Sequence, residues 1–132
     1  MVRYFFSLVI LSIALSFSAC AEGISTHVLD LASGVGGKNV PVILEIQNDK
    51  AVWSQVATGK TDDNGRIKSF GESFKIRTGK YKLIFDMTKY SAGKANPFFP
   101  EISIVFNVSD KSLHYHVPVV VSPYGYSTYR GN

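Results

Sequence analysis

The sequence predicts an all-β fold, an antiparallel β-sandwich of about eight short strands with at most one short helix. Three observations lead there. Short runs rich in Val, Ile, Phe and Tyr recur at regular intervals, several with strict apolar/polar alternation. Each run is bounded by Gly, Asn, Asp or Pro turn signals. Only GESFKIRTG (71–79) offers room for a helical turn, and it is short.

In chain order, ISTHVLD (24–30) is the first strand. Alternation places Ile24, Thr26, Val28 and Asp30 on one face and Ser25, His27 and Leu29 on the other. SGVGGKN (33–39) is a turn-rich loop. VPVILEIQ (40–47) is a β-branched strand whose Pro41 sits near the start, where a missing N–H is tolerated. AVWSQVATG (51–59) follows the polar Asn48-Asp49-Lys50 turn. KTDDNGRIKSF (60–70) carries a strong Asp-Asn-Gly turn signal ahead of a short strand. YKLIFDM (81–87), EISIVFNV (101–108) and LHYHVPVVV (113–121) are three more strands, and YSTYR (126–130) is a last one.

The first twenty-one of the 132 residues read differently. A basic Met1-Val2-Arg3 start, an apolar run from Tyr4 to Phe17 and small residues around Ala19-Cys20-Ala21 follow the order of a secretory signal peptide. The apolar run is shorter than the ~20 residues a bilayer crossing requires. The expected organisation is a cleaved signal at 1–21 and one domain at 22–132, exported to a bacterial periplasm and free of the membrane after cleavage. Lipoprotein processing at Cys20 is the alternative cut. Cys20 is the only cysteine, so the domain holds no disulfide and no thiolate metal site. A net charge of +4, with Lys and Arg scattered, excludes a nucleic-acid footprint and mildly favours anionic ligands.

Three histidines carry most of the available chemistry: His27, His114 and His116. His114 and His116 share a strand face with Pro118, Val120 and Ser122, while Tyr115, Val117, Val119 and Val121 form the core side. His-x-His with a third histidine is a spacing compatible with a zinc triad. No Asp/Glu cluster lies near it in sequence, so spacing alone favours a solvated or structural pair. TDDNG lacks the ligand pattern of an EF-hand and reads as a hairpin turn. No G-x-S-x-G elbow exists for a serine nucleophile. Arg66 leaves that turn where its side chain can reach a groove. An arginine there is most often simply solvated.

STHVLD (25–30), TDDNGRI (61–67), FFPEI (98–102) and HYHVPVVVSPYGYSTYRGN (114–132) resemble, in order, motifs of the 5-hydroxyisourate hydrolases, the enzyme branch of the transthyretin-like family. Transthyretin itself resembles SPYGYST but lacks the two histidine positions and the Tyr-Arg-Gly ending. The resemblance implies a transthyretin-like sandwich assembled as a homotetramer, a dimer of dimers, with each active site in a channel between dimers. It implies His27, Arg66 and His116 as catalytic residues, and His27, Arg66, Tyr129, Arg130, Gly131 and Asn132 as substrate-binding residues. No cofactor and no metal are implied. The implied reaction is hydrolytic opening of 5-hydroxyisourate, a small-molecule substrate from urate oxidation, to 2-oxo-4-hydroxy-4-carboxy-5-ureidoimidazoline. A secreted small-ligand binding protein without catalysis is the competing reading. The family typically ends in Tyr-Arg-Gly-Ser, whereas this chain ends in Asn132.

Overall fold

Strict alternation builds each sheet, because in a strand every second side chain points to the same side. The structure, a computed structural model, describes residues 23–90 and 96–132. The expected signal segment and Cys20 lie outside the described residues. One sheet holds β3 (Pro41–Gln47), β4 (Trp53–Lys60), β6 (Gly79–Asp86) and β7 (Glu101–Val108), in the order β4-β3-β6-β7. The other holds β1 (Gly23–Asp30), β2 (Val35–Gly36), β5 (Arg66–Ile67), β8 (His114–Ser122) and β9 (Gly125–Thr128). Its order is β2-β1-β8-β9, and β5 also pairs with β1.

The two inner faces make one core. Val42, Leu44 and Ile46 of β3 and Tyr81, Leu83 and Phe85 of β6 face Ile24 and Val28 of β1 and the Tyr115-Val117-Val119-Val121 row of β8, all buried. Each such aliphatic or aromatic side chain contributes about 1.5–3 kcal/mol on burial, so slipping a strand by one residue would forfeit the whole set. That penalty fixes which way the opposite faces point. His27 on β1 and His114 and His116 on β8 are held outward because their neighbours are held inward.

Two features depart from simple alternation. β1 and β8 pair in parallel, with Ser25 opposite His116 and His27 opposite Pro118, whereas the other ladders are antiparallel. The segment with room for a helical turn, 71–79, forms none and is irregular until β6 begins. Phe74 and Ile76, two residues apart, pack on the core, which is an extended spacing. The Tyr81 hydroxyl also accepts from Arg77 N at 3.1 Å and donates to Arg77 O at 3.0 Å, diverting backbone groups a helix would need. The expected 33–39 loop contains the two-residue β2.

Candidate active site

The Asp-Asp-Asn-Gly turn is the device that places Arg66. Asp62 Oδ1 accepts from Asn64 N and Arg66 N, both at 2.9 Å, and Gly65 N donates to Asp62 O at 2.9 Å. Gly65 has φ +77°, and its carbonyl accepts from Val28 N at 2.8 Å. The turn is thereby pinned against β1. Arg66 then stands directly opposite His27 in the β1–β5 pair, close enough for side-chain contact on one face. His27 donates through Nε2–H to Asn64 O at 3.1 Å, so its other ring nitrogen, Nδ1, is bare in the neutral form.

On the other edge of β1, the parallel register brings Ser25 beside both β8 histidines. Ser25 Oγ lies 2.7 Å from His114 Nε2 and 2.7 Å from His116 Nδ1. β8 and β9 form a two-residue hairpin, and their ladder continues past Val119–Thr128 to a bridge between His116 and Gly131. Gly131 N donates to His116 O at 2.8 Å. A Cβ at Gly131 would lie 2.5 Å from His116 Cδ2 and 3.3 Å from Pro118 Cγ, so glycine lets the tail run against the imidazole.

Electrostatics ties the cluster together. Burial lowers the His27 pKa, and the Arg66 cation lowers it further, against the opposing pull of Asn64 O and Asp62. Burial also lowers the His116 pKa, followed by the charges of Arg66, His114 and His27. Both imidazoles are therefore held neutral near pH 7, able to accept or donate a proton. No carboxylate among the described residues pairs with Arg66, which leaves its guanidinium free for an anionic or carbonyl oxygen. Among the described residues no three His, Cys, Asp or Glu side chains are grouped as metal ligands.

A family model described as the HIUase/Transthyretin family matches residues 24–131. The chain belongs to the HIUase/Transthyretin family. A 5-hydroxyisourate hydrolase of Salmonella typhimurium is 40% identical over 137 aligned positions covering all of both chains. The Klebsiella pneumoniae 5-hydroxyisourate hydrolase structure superposes with a TM-score of 0.71 at 28% identity, covering 85% of this chain and all of that one. Sea bream transthyretin in complex with thyroxine gives 0.74 at 25% identity, covering 82% of this chain and 93% of that one. The transthyretin-like sandwich expected from the sequence is thus the fold observed.

Within this family member, the structure brings together His27, Arg66, His116 and Gly131 out of the residues expected at the site. Arg130 lies on the core face of the tail, opposite the histidines, and Tyr129 is exposed. They line a shallow groove of about 250 Å³ with Phe106, Tyr115 and Val117, and the Arg130 guanidinium sits 4.9 Å from the Tyr115 ring centroid. Asn132 is exposed at the chain end. Sequence reasoning placed Ser25 on the His27 face but gave it no role. A parallel partner strand was needed to see its link to two histidines. Another cavity, about 260 Å³, lies elsewhere among Met87, Tyr90, Phe98, Phe99, Ile102 and Tyr124. It is predominantly apolar and includes none of the histidines, so volume and chemistry point to different places, and the chemistry decides.

Proposed function

We propose that the protein hydrolyses 5-hydroxyisourate to 2-oxo-4-hydroxy-4-carboxy-5-ureidoimidazoline in urate degradation, without a metal. The observation that carries this reading is the convergence of two neutral imidazoles and one unpaired guanidinium on a single sheet face. One imidazole takes a proton from water as the oxygen attacks a ring carbonyl. Arg66 faces the oxyanion that develops there. The C–N bond then breaks, and the leaving nitrogen receives the proton. Membership of a family that includes curated hydrolases of this substrate supports the assignment.

The open face of His27 and His116 suits a channel completed by a second copy, which supports a homotetramer as the working assembly. Tyr129 and Asn132 act there as walls toward the neighbouring subunit, and Arg130, stacked on Tyr115, holds the tail that carries them. The N-terminal pattern supports export to the periplasm with cleavage near Ala21. N-terminal sequencing of protein recovered from that compartment tests the cut.

The decisive assay generates 5-hydroxyisourate in situ with urate oxidase and follows its ultraviolet decay. Acceleration over the spontaneous rate is expected, and an unchanged decay at high protein concentration sinks the proposal. Arg66→Ala and His116→Ala should each lose about 100-fold or more in kcat/KM while keeping the assembly seen by gel filtration. Undiminished turnover in either refutes its place in the site.

A further inference from the structure

Ser25 and His114 have no part in the water attack described above, yet they form a chain behind His116. Ser25 is only 6% exposed, and its Oγ lies at 2.7 Å from a ring nitrogen of each histidine. A serine hydroxyl has one proton to give and two lone pairs to receive with. Three arrangements therefore exist for two neutral rings, and the surroundings separate them.

In the first, both rings donate to Oγ, and the serine proton is left with no acceptor in a buried position. In the second, His116 donates through Nδ1–H and Ser25 donates to His114 Nε2. The His114 proton then sits on Nδ1, which is buried and finds no hydrogen-bond partner among the described residues. In the third, His114 donates through Nε2–H to Ser25, and Ser25 donates to His116 Nδ1. The unpartnered atom is then a bare lone pair on His114 Nδ1, and no proton is stranded. Buried donors without partners are rarer in proteins than under-used acceptors.

We infer that His114 and Ser25 are positioning residues that hold His116 as the tautomer protonated on Nε2. His116 thereby presents an N–H donor to the site rather than a base. On the hydrolase reading, on which the catalytic consequence rests, that donor meets the carbonyl oxygen as it becomes an oxyanion, alongside Arg66. The base is then His27, whose Nε2–H is engaged by Asn64 O and whose Nδ1 is bare. Water gives its proton to His27 Nδ1 and its oxygen bonds to the carbonyl carbon. When the tetrahedral oxyanion collapses, the C–N bond breaks and the leaving nitrogen takes the proton from the His27 imidazolium. His116 keeps its own proton throughout.

The test is long-range proton–nitrogen NMR on protein labelled at its histidine ring nitrogens, recorded above the ordinary histidine pKa of about 6.5. Wild-type His116 should show the Nε2–H pattern. His116 protonated on Nδ1 would overturn the inference outright, with no variant needed. Ser25→Ala and His114→Leu should each shift His116 toward a tautomer mixture and lower kcat about 10-fold or more with little change in KM. His114→Gln, whose amide N–H2 can stand where Nε2–H stood, should restore both the tautomer and most of the lost kcat. An unaltered His116 pattern in folded Ser25→Ala and His114→Leu protein would also overturn it. Should the chain fail to hydrolyse 5-hydroxyisourate at all, the NMR pattern still decides the tautomer, so the two failures are distinct.

Discussion

Gly65→Ala should damage the fold and the site together, by an amount the structure sets. Two costs add. At φ +77° an alanine side chain crowds its own backbone, a penalty of about 1–2 kcal/mol. The new Cβ would also collide with the Val28 carbonyl oxygen and lie 2.7 Å from Gly37 N. Those neighbours are backbone and cannot rotate away. Relief requires lifting the turn from β1, which weakens the Val28 N–Gly65 O and Gly37 N–Val28 O hydrogen bonds, both 2.8 Å. Each contributes roughly 0.5–1.5 kcal/mol. The combined loss is about 2–5 kcal/mol, or roughly 8–20 °C in Tm for a domain of this size. Gly71 is the control. It has φ +93° but nothing within 4 Å of an added Cβ, so Gly71→Ala incurs the conformational cost alone. Differential scanning calorimetry of both variants separates the two terms. Equal Tm losses would refute the claim that the turn is clamped against β1. In Gly65→Ala the Asn64 carbonyl should also leave His27, read as a changed His27 resonance.

The lowered pKa values of His27 and His116 place the acid limb of kcat/KM below the ordinary histidine value of about 6.5. Arg66→Gln should move both histidine titrations upward by NMR, since the cation lowers each. Removing residues 129–132 should abolish turnover while leaving most of the unfolding free energy. Gly131→Ala should act similarly on turnover by pressing on the His116 ring, with circular dichroism unchanged. For the buried Asp30 carboxylate, burial works upward, but hydrogen bonds from the Tyr90 hydroxyl at 2.7 Å and from Ala32 and Ser33 bring its pKa below the usual value. A depressed folded pKa gives stability that is present above the unfolded value of about 3.9 and lost as pH falls through the folded one. Tyr90→Phe should therefore cost about 1–3 kcal/mol near neutral pH and start acid unfolding at a higher pH, as urea titrations across pH would show.

Some of this was legible in the sequence because local chemistry decides it. Alternation alone put His27 on one face of β1 and His114 with His116 on the outer face of β8, and burial agrees at every core position of both strands. The Asp62–Gly65 turn was readable because an Asx turn and a glycine at positive φ are local requirements. The contacts between Ser25 and the β8 histidines were not readable, since they join residues 89 and 91 positions apart through a parallel pairing. Nor could alternation show that the tail runs far enough to set Gly131 beside His116 while Arg130 lies over Tyr115. That follows from how far the β8–β9 ladder runs. The irregular 71–78 segment escaped for a similar reason, because its backbone is tied by Tyr81, whose ring is fixed by the core.

β1 explains why the cluster forms where it does. It has site partners on both edges: β8 on one side, β2 and β5 on the other. Ser25 and His27 are two residues apart and face the same way, yet each meets a different neighbour. Ser25 stands opposite His116 and His27 stands opposite Arg66. The four groups therefore come from three strands and need no loop closure to meet. The short β5 is the weakest of these supports, because only two residues pair there. Its position depends on the Asp62 carboxylate and on Gly65 rather than on ladder length. Loss of Arg66 placement should then precede loss of the histidine pair as the protein is destabilised. Hydrogen exchange should show it, with the Arg66 and Ile67 amides opening before those of Val117 and Val119.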